Sequence, residues 1–238
     1  MDLAREVQQG LLPRLSPQLD GFDIAGASVA TDETGGDFFD YVPMPDDAIG
    51  IVVADASGHG ISAALLITVV SAYLRAISSL TSDPGEVLRR VAQMLGPRIP
   101  EGHFVTAVLA SLDPIRRTVT YASAGHPSAL LIGASGEVRA DLTSLDLPIG
   151  LDPDHRFQSS SVTSLLPGDT LVLISDGIVE AMRQDGTLFG KSRVIELVRQ
   201  QREQSAQTIV ATLIRAARTH CAPQSPADDL TVVVVKVA

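Results

Sequence analysis

AIGIVVADASGHG, residues 48–60, is the stretch from which the rest of the chain is read. Ala48 to Ala54 is uncharged, short and rich in β-branched residues, which reads as a strand buried on both faces. It hands Asp55 to its tip, and the glycines at 58 and 60 let the backbone turn there. The apolar run from Ile61 to Ile77 follows. Ser62, Thr68, Ser71 and Arg75 interrupt it, and it falls short of the ~20 apolar residues a bilayer needs, so it predicts a core helix over about 60–79 and no membrane span.

Working outward, Leu3, Val7 and Leu11 recur at helical spacing until Pro13 ends a short leading helix. A strand is expected from Phe22 to Ala30. Asp83-Pro84 opens a second helix with a capping acid and proline at the first position. The texture then turns to β in residues 104–113, 118–123 and 129–133, with further strands expected over Arg156 to Val162 and Thr170 to Ser175. Helices fit Lys191 to Arg202 and Ser205 to Thr219. Leu230 to Val237 (LTVVVVKV) is apolar on both faces and predicts a central strand. Helices grouped after hairpin-like strands argue for α+β layers, and one domain is the economical count.

Composition narrows the class. The 238 residues are 45 % hydrophobic and 19 % charged, as in folded globular chains. The 28 acidic against 18 basic residues give a net charge of −10, and no Lys/Arg run interrupts the excess, so a nucleic-acid partner is not expected. The single cysteine, Cys221, excludes an internal disulfide framework and reads as a structural thiol in a reducing cytoplasm. Residues 1–13 carry Asp2 and Glu6 and do not resemble a signal peptide.

The pattern at Asp55 repeats. Gly35-Gly36-Asp37, Ser175-Asp176-Gly177 and Asp228-Asp229 each set an acid beside a strand end, mostly with glycine nearby. Any one such pair is ordinarily a turn. All four converging is another matter, because two carboxylates about 4 Å apart repel by roughly 4 kcal/mol at an effective dielectric of 20, which protons or cations must offset. Oxygen-only ligands select Mg²⁺ or Mn²⁺. Two such ions activate a water and bind phosphoryl oxygens, which points to phosphoryl hydrolysis.

These motifs resemble the SpoIIE-like branch of the metal-dependent (PPM, type 2C) protein phosphatases, which includes the RsbU-type regulators. The resemblance runs from Leu3 to Val237 through LAREVQQGLLP, GGDFFDY, DASGHG, FVTAVLASLD, YASAGHP, LPIGL, LLPGD, SDGIVEAM, LFG and DDLTVVVV. It implies a four-layer α/β/β/α sandwich of two antiparallel sheets, residues 15–238, preceded by a linker or regulatory helix, residues 1–14. It also implies two Mn²⁺ or Mg²⁺ ions at one sheet edge and hydrolysis of phosphoserine or phosphothreonine with no covalent phosphoenzyme. Asp37, Asp55, Asp176 and Asp228 match metal acids, with Asp55 bridging both ions, and the Ala56 carbonyl matches a backbone ligand. Asp37, Asp55 and Asp176 carry the catalysis on this reading. Asp229 and Gly36 are further candidates at the metals, and His59 is a candidate proton donor to the leaving oxygen. The implied substrate is a phosphorylated anti-anti-sigma (STAS-domain) protein in stress-responsive control of a sigma factor.

Other residues carry weaker expectations. Asp40 and Glu33 are candidate acceptors for metal-bound water or solvated loop acids. His126 reads as a turn residue tying down the sheet, and His103, His155 and His220 as surface residues. No arginine near the first strand matches a phosphate-binding one. The leading helix is too short to fold alone, so it is expected to pack on the domain, pair with a second copy or follow a sensor. Two rival functions remain open. One is a metal-free relative that only binds a partner, against which all four acid positions are filled. The other is a two-metal nuclease, against which the acidic balance weighs.

Overall fold

The computed structural model describes residues 2–126, 129–144 and 146–238. Pro127 of the YASAGHP motif and the side chain of Leu3 lie outside the described residues. Ten strands are described: β1 (Phe22–Val29), β2 (Asp37–Pro43), β3 (Ile49–Ala56), β4 (Val105–Asp113), β5 (Thr118–Ala124), β6 (Ala129–Ile132), β7 (Val138–Leu142), β8 (Thr163–Ser164), β9 (Thr170–Ile174) and β10 (Leu230–Val237). Six α-helices accompany them: α1 (Asp2–Leu11), α2 (Ile61–Ser78), α3 (Pro84–Leu95), α4 (Asp176–Glu180), α5 (Gly190–Gln200) and α6 (Ala206–Cys221).

The strands form two five-stranded antiparallel sheets, ordered β1-β10-β9-β6-β7 and β2-β3-β4-β5-β8. Alternation along each strand explains why they stack. In β3, Ile51 and Val53 join Phe39, Val108 and Val233 between the sheets, while Val52 and Ala54 face Ile67 and Val70 of α2. In β10, Val233 and Val235 enter the inter-sheet core and Val232 and Val234 meet Ile209 and Leu213 of α6. Both faces are covered, so these strands are apolar throughout, and the four-layer α/β/β/α sandwich follows.

Local signals hold where a mechanism stood behind them. The Asp83 carboxylate accepts from the Gly85 amide at 3.0 Å with Pro84 in the first turn. Ser205 caps α6 by accepting from the Thr208 amide at 3.2 Å. By length and composition α2 would cross a membrane, but Ala63, Ile67, Val70, Leu74 and Ile77 are buried in the core.

Three expectations are corrected. Arg156 to Val162 is not a strand. Its serines use their hydroxyls, Ser159 Oγ accepting from the Gly85 amide and donating to Asp83, and Ser160 Oγ accepting from the Tyr121 amide, and only Thr163–Ser164 reaches a ladder. Hydroxyls that bond backbone groups compete with sheet formation. His220 is not on the surface. It falls on the inward face of α6 with Leu213 and Ala217, is 6 % exposed, lies 2.9 Å from the Thr187 carbonyl and stacks edge-on to Phe189. His155 is half-buried and has a partner in Asp146, 2.9 Å away.

Candidate metal centre

Antiparallel register sets Asp37 of β2 opposite Asp55 of β3, so both carboxylates leave the same face of the sheet. Gly36 makes the approach possible. A Cβ there would stand 2.9 Å from the Ala56 carbonyl oxygen and 3.0 Å from Asp55 Oδ1. The Ala56 amide donates to the Gly36 carbonyl at 3.1 Å, and the turn after it is pinned by the Ser57 amide donating to the Phe104 carbonyl at 2.9 Å.

The other sheet supplies Asp176 and Asp228. Asp176 opens α4 directly after β9, and Asp228 stands just before β10, which pairs with β9. Ser175 laces the two segments together. Its amide donates to the Thr231 carbonyl at 3.0 Å, and its hydroxyl accepts from the Thr231 amide at 3.0 Å. Gly177 packs so closely on Asp229 that an added Cβ would fall 2.0 Å from that residue's carbonyl oxygen. Four acids from four strand ends thus meet where the sheets' edges face each other.

Their electrostatics is that of mutually repelling, partly dehydrated carboxylates. Burial first, and then Asp176, Asp228 and Asp229, push the Asp55 carboxyl up to about 7. Asp37 is raised well above the ordinary range by burial and by Asp55, and the Thr231 and Ser175 hydroxyls offset only part of this. Asp176 is raised by burial and by Glu180, and Asp228 by partial burial and then by Asp176. Among the described residues no three carboxylate, imidazole or thiolate groups are already drawn to ligation distance. The donor chemistry nevertheless fits hard divalent cations. Asp37 Oδ2 is buried with no hydrogen-bond partner, a costly state that a cation would relieve.

Beside the acids a cleft of about 370 Å³ is lined by Asp32, Thr34, Gly58, His59, Ser225 and Asp228. His59 stands exposed at its rim. Asp229 is 5 % exposed, and its carboxylate is already engaged: Oδ1 accepts from the Thr31 amide at 2.8 Å and the Thr31 hydroxyl at 3.2 Å, and Oδ2 from the Asp37 amide at 3.4 Å. Asp229 therefore clamps the loop that presents Asp37. Asp40 is turned to Arg75 and the Tyr41 amide, and Glu33 is exposed. His126 bridges the sheets, with Nδ1 2.9 Å from Thr106 Oγ1 and Nε2 3.2 Å from the Ile174 carbonyl. Burial lowers its pKa to about 3, which keeps it neutral.

Sequence reasoning missed Ser175, Thr231 and Gln8. The first two flank acids inside quoted motifs, and that adjacency was the available signal. Gln8 of α1 had none. Its Nε2 donates to the Gly35 carbonyl at 2.6 Å and its Oε1 accepts from the Gly35 amide at 3.0 Å, two residues from Asp37.

The family model described as stage II sporulation protein E (SpoIIE) matches residues 45–238. Phosphoserine phosphatase RsbU of Bacillus subtilis is 28 % identical over 213 residues, covering 90 % of this chain and 63 % of its own length. Phosphoserine phosphatase RsbP of the same organism is 30 % identical over 186 residues, covering 76 % of this chain and 45 % of its own. The chain thus spans less than two thirds of either relative. The SiaA-PP2C domain of Pseudomonas aeruginosa superposes with a TM-score of 0.87 at 24 % identity, covering 100 % of this chain and 95 % of that one, a likeness of fold.

Proposed function

The chain belongs to the SpoIIE family, and we propose that within it the chain is a metal-dependent protein serine/threonine phosphatase. One observation carries the reading: Asp37, Asp55, Asp176 and Asp228 are brought to one end of the sandwich, among the described residues no protein cation offsets the charge of Asp37 or Asp55, and a buried oxygen of Asp37 has no donor. Those four acids and the Ala56 carbonyl would hold two Mn²⁺ or Mg²⁺ ions. Such ions, when bound, lower the pKa of a water between them and neutralise the phosphoryl oxygens.

The chain's own residues do the rest. Asp229 and Ser175 keep the acid-bearing loops in register. His59, at the rim of the cleft, is placed to protonate the departing serine or threonine oxygen. The substrate we propose is a phosphorylated STAS-type anti-anti-sigma protein in the cytoplasm, as part of sigma-factor control, supported by the named phosphoserine phosphatases among the relatives. Through Gln8, the leading helix holds the Gly35–Asp37 loop, so a sensor or a second copy that moved α1 would act on the metal acids.

Hydrolysis of p-nitrophenyl phosphate with Mn²⁺, compared with DNA cleavage, tests the reaction class, and release of phosphate from phosphorylated STAS proteins tests the substrate. Turnover of the phosphomonoester that EDTA abolishes is expected. DNA cleavage, or binding of a STAS protein without turnover, contradicts the proposal.

A further inference from the structure

A groove of about 460 Å³ lies between α5 and α6, remote in sequence from the β2–β3 acids. Its floor is apolar, made by Phe189, Leu197 and Ala216, and the guanidinium groups of Arg183, Arg193 and Arg215 stand around it. The sequence shows no basic run and a net charge of −10; folding gathers these three from separate segments. Other arginines on this surface find carboxylates, as Arg199 does with Glu196 and Arg202 with Glu203, but among the described residues none of these three is in an ion pair. Arg193 is fixed in place by donating to the Leu188 and Phe189 carbonyls at 2.7 and 2.6 Å. The acid on the groove wall, Glu196, is taken by Arg199 and Gln200, and Asp185 lies near Arg183.

We infer that this groove binds a small organic anion with an apolar body. Three guanidinium groups without ion pairs in an otherwise acidic protein are complementary to a carboxylate, sulfonate or phosphate, whose oxygens match their planar donors. The floor is complementary to a ring or a branched chain. The volume is that of a small-molecule site, and a single turn of helix with its side chains, about 500 Å³ from its pitch and diameter, would already fill it. The size therefore favours a small ligand over a docked helix.

The test uses anilinonaphthalene sulfonate as the probe, titrated into the full chain and followed by fluorescence and equilibrium dialysis. One saturable site is expected. Charge reversal in the double variant Arg183→Glu, Arg215→Glu should weaken binding about tenfold or more, while Arg183→Lys with Arg215→Lys stays within about threefold of the parent. Ala216→Phe, which fills the floor, should abolish binding. Phenylnaphthylamine, a similar body without the sulfonate, should bind about tenfold more weakly. The reversed arginines are exposed and in no ion pair, so that variant reports even if Ala216→Phe fails to fold. Unchanged binding in the charge-reversed variant, equal affinity for the neutral probe, or no saturable site up to about 1 mM overturns the inference.

Discussion

Asp169 is 1 % exposed and Asp37 6 %, yet their surroundings differ in kind. Asp169 is met by the Arg139 guanidinium and by the Leu166 amide at 2.7 Å. Asp40 likewise has Arg75 and the Tyr41 amide. At the acid cluster Asp37 faces Asp55, and one of its oxygens has no donor. Burying a carboxylate costs several kcal/mol unless a cation or donors compensate it. Two regions of one molecule thus meet the same cost differently: one with an arginine built into the chain, the other with no such partner for Asp37 among the described residues, where the proposed function assigns a cation from outside.

Substitution should separate the two regions sharply. Asp55→Ala or Asp176→Ala should abolish phosphatase turnover while the protein stays folded, because each removes a metal acid rather than core packing. Retention of more than about a tenth of parental activity would contradict the assignment, since losing a metal costs several kcal/mol of charge stabilisation. Asp169→Ala should do the reverse, lowering stability by roughly 3 kcal/mol by stranding Arg139 and leaving kcat of the folded fraction close to parental. Denaturant melts with activity assays on the same samples check both.

Asp229 sits at the acid cluster but, like Asp169, accepts from built-in donors, here the Thr31 amide and hydroxyl and the Asp37 amide, so it sharpens the comparison. Asp229→Ala should loosen the Thr31–Asp37 loop, costing about 1–3 kcal/mol of stability and a large part of activity. Excess Mn²⁺ should restore some of that activity, as it would not for Asp55→Ala. Failure of Mn²⁺ to discriminate the two variants would mean that Asp229 is itself a ligand.

The pH dependence of the metal-free protein tests the cost of burying these acids together. Asp55, pushed up to about 7, binds its proton more tightly folded than unfolded. Its stabilising contribution is therefore complete below the unfolded value near 4 and lost as pH rises through about 7. In EDTA the melting midpoint should fall across that window, and Asp55→Asn should flatten the fall and melt higher than the parent near pH 8. A parent and variant with parallel profiles would show that burial and the neighbouring acids do not hold the Asp55 carboxyl raised. The smallest effect is expected of Gln8→Ala, a loss of about threefold in activity from releasing Gly35, read by steady-state kinetics at limiting Mn²⁺.

The sequence disclosed most where one residue's neighbours decide its state. β10 and β3 were legible because both faces are apolar, and α3 because Asp83 and Pro84 mark its start. The four acids were legible as strand-end residues, Asp37 and Asp176 directly beside glycines. What was not legible depends on distant partners. Arg156 to Val162 has strand-like composition, but its serine hydroxyls bond Asp83 and Gly85 at the start of α3 and Tyr121 of β5. His220 continues the helical repeat of Leu213 and Ala217, but its partners Thr187 and Phe189 lie 33 and 31 residues away in sequence. The roles of Gln8 and Asp229 and the gathering of Arg183, Arg193 and Arg215 exist only in the fold.

Thermal melting across a Mn²⁺ titration, with no substrate present, asks directly whether a divalent cation from outside balances the acid cluster. A cation that binds the folded state alone stabilises it by about 2.7 kcal/mol at a hundredfold excess over its dissociation constant. For a domain of this size, each kcal/mol moves the midpoint by roughly 2–4 °C. Mn²⁺ should therefore raise the midpoint by about 5–10 °C, EDTA should reverse the rise, Asp55→Ala should blunt it most and Asp169→Asn should leave it intact. A midpoint that does not move with Mn²⁺, or that moves equally in the Asp55→Ala variant, would contradict the account.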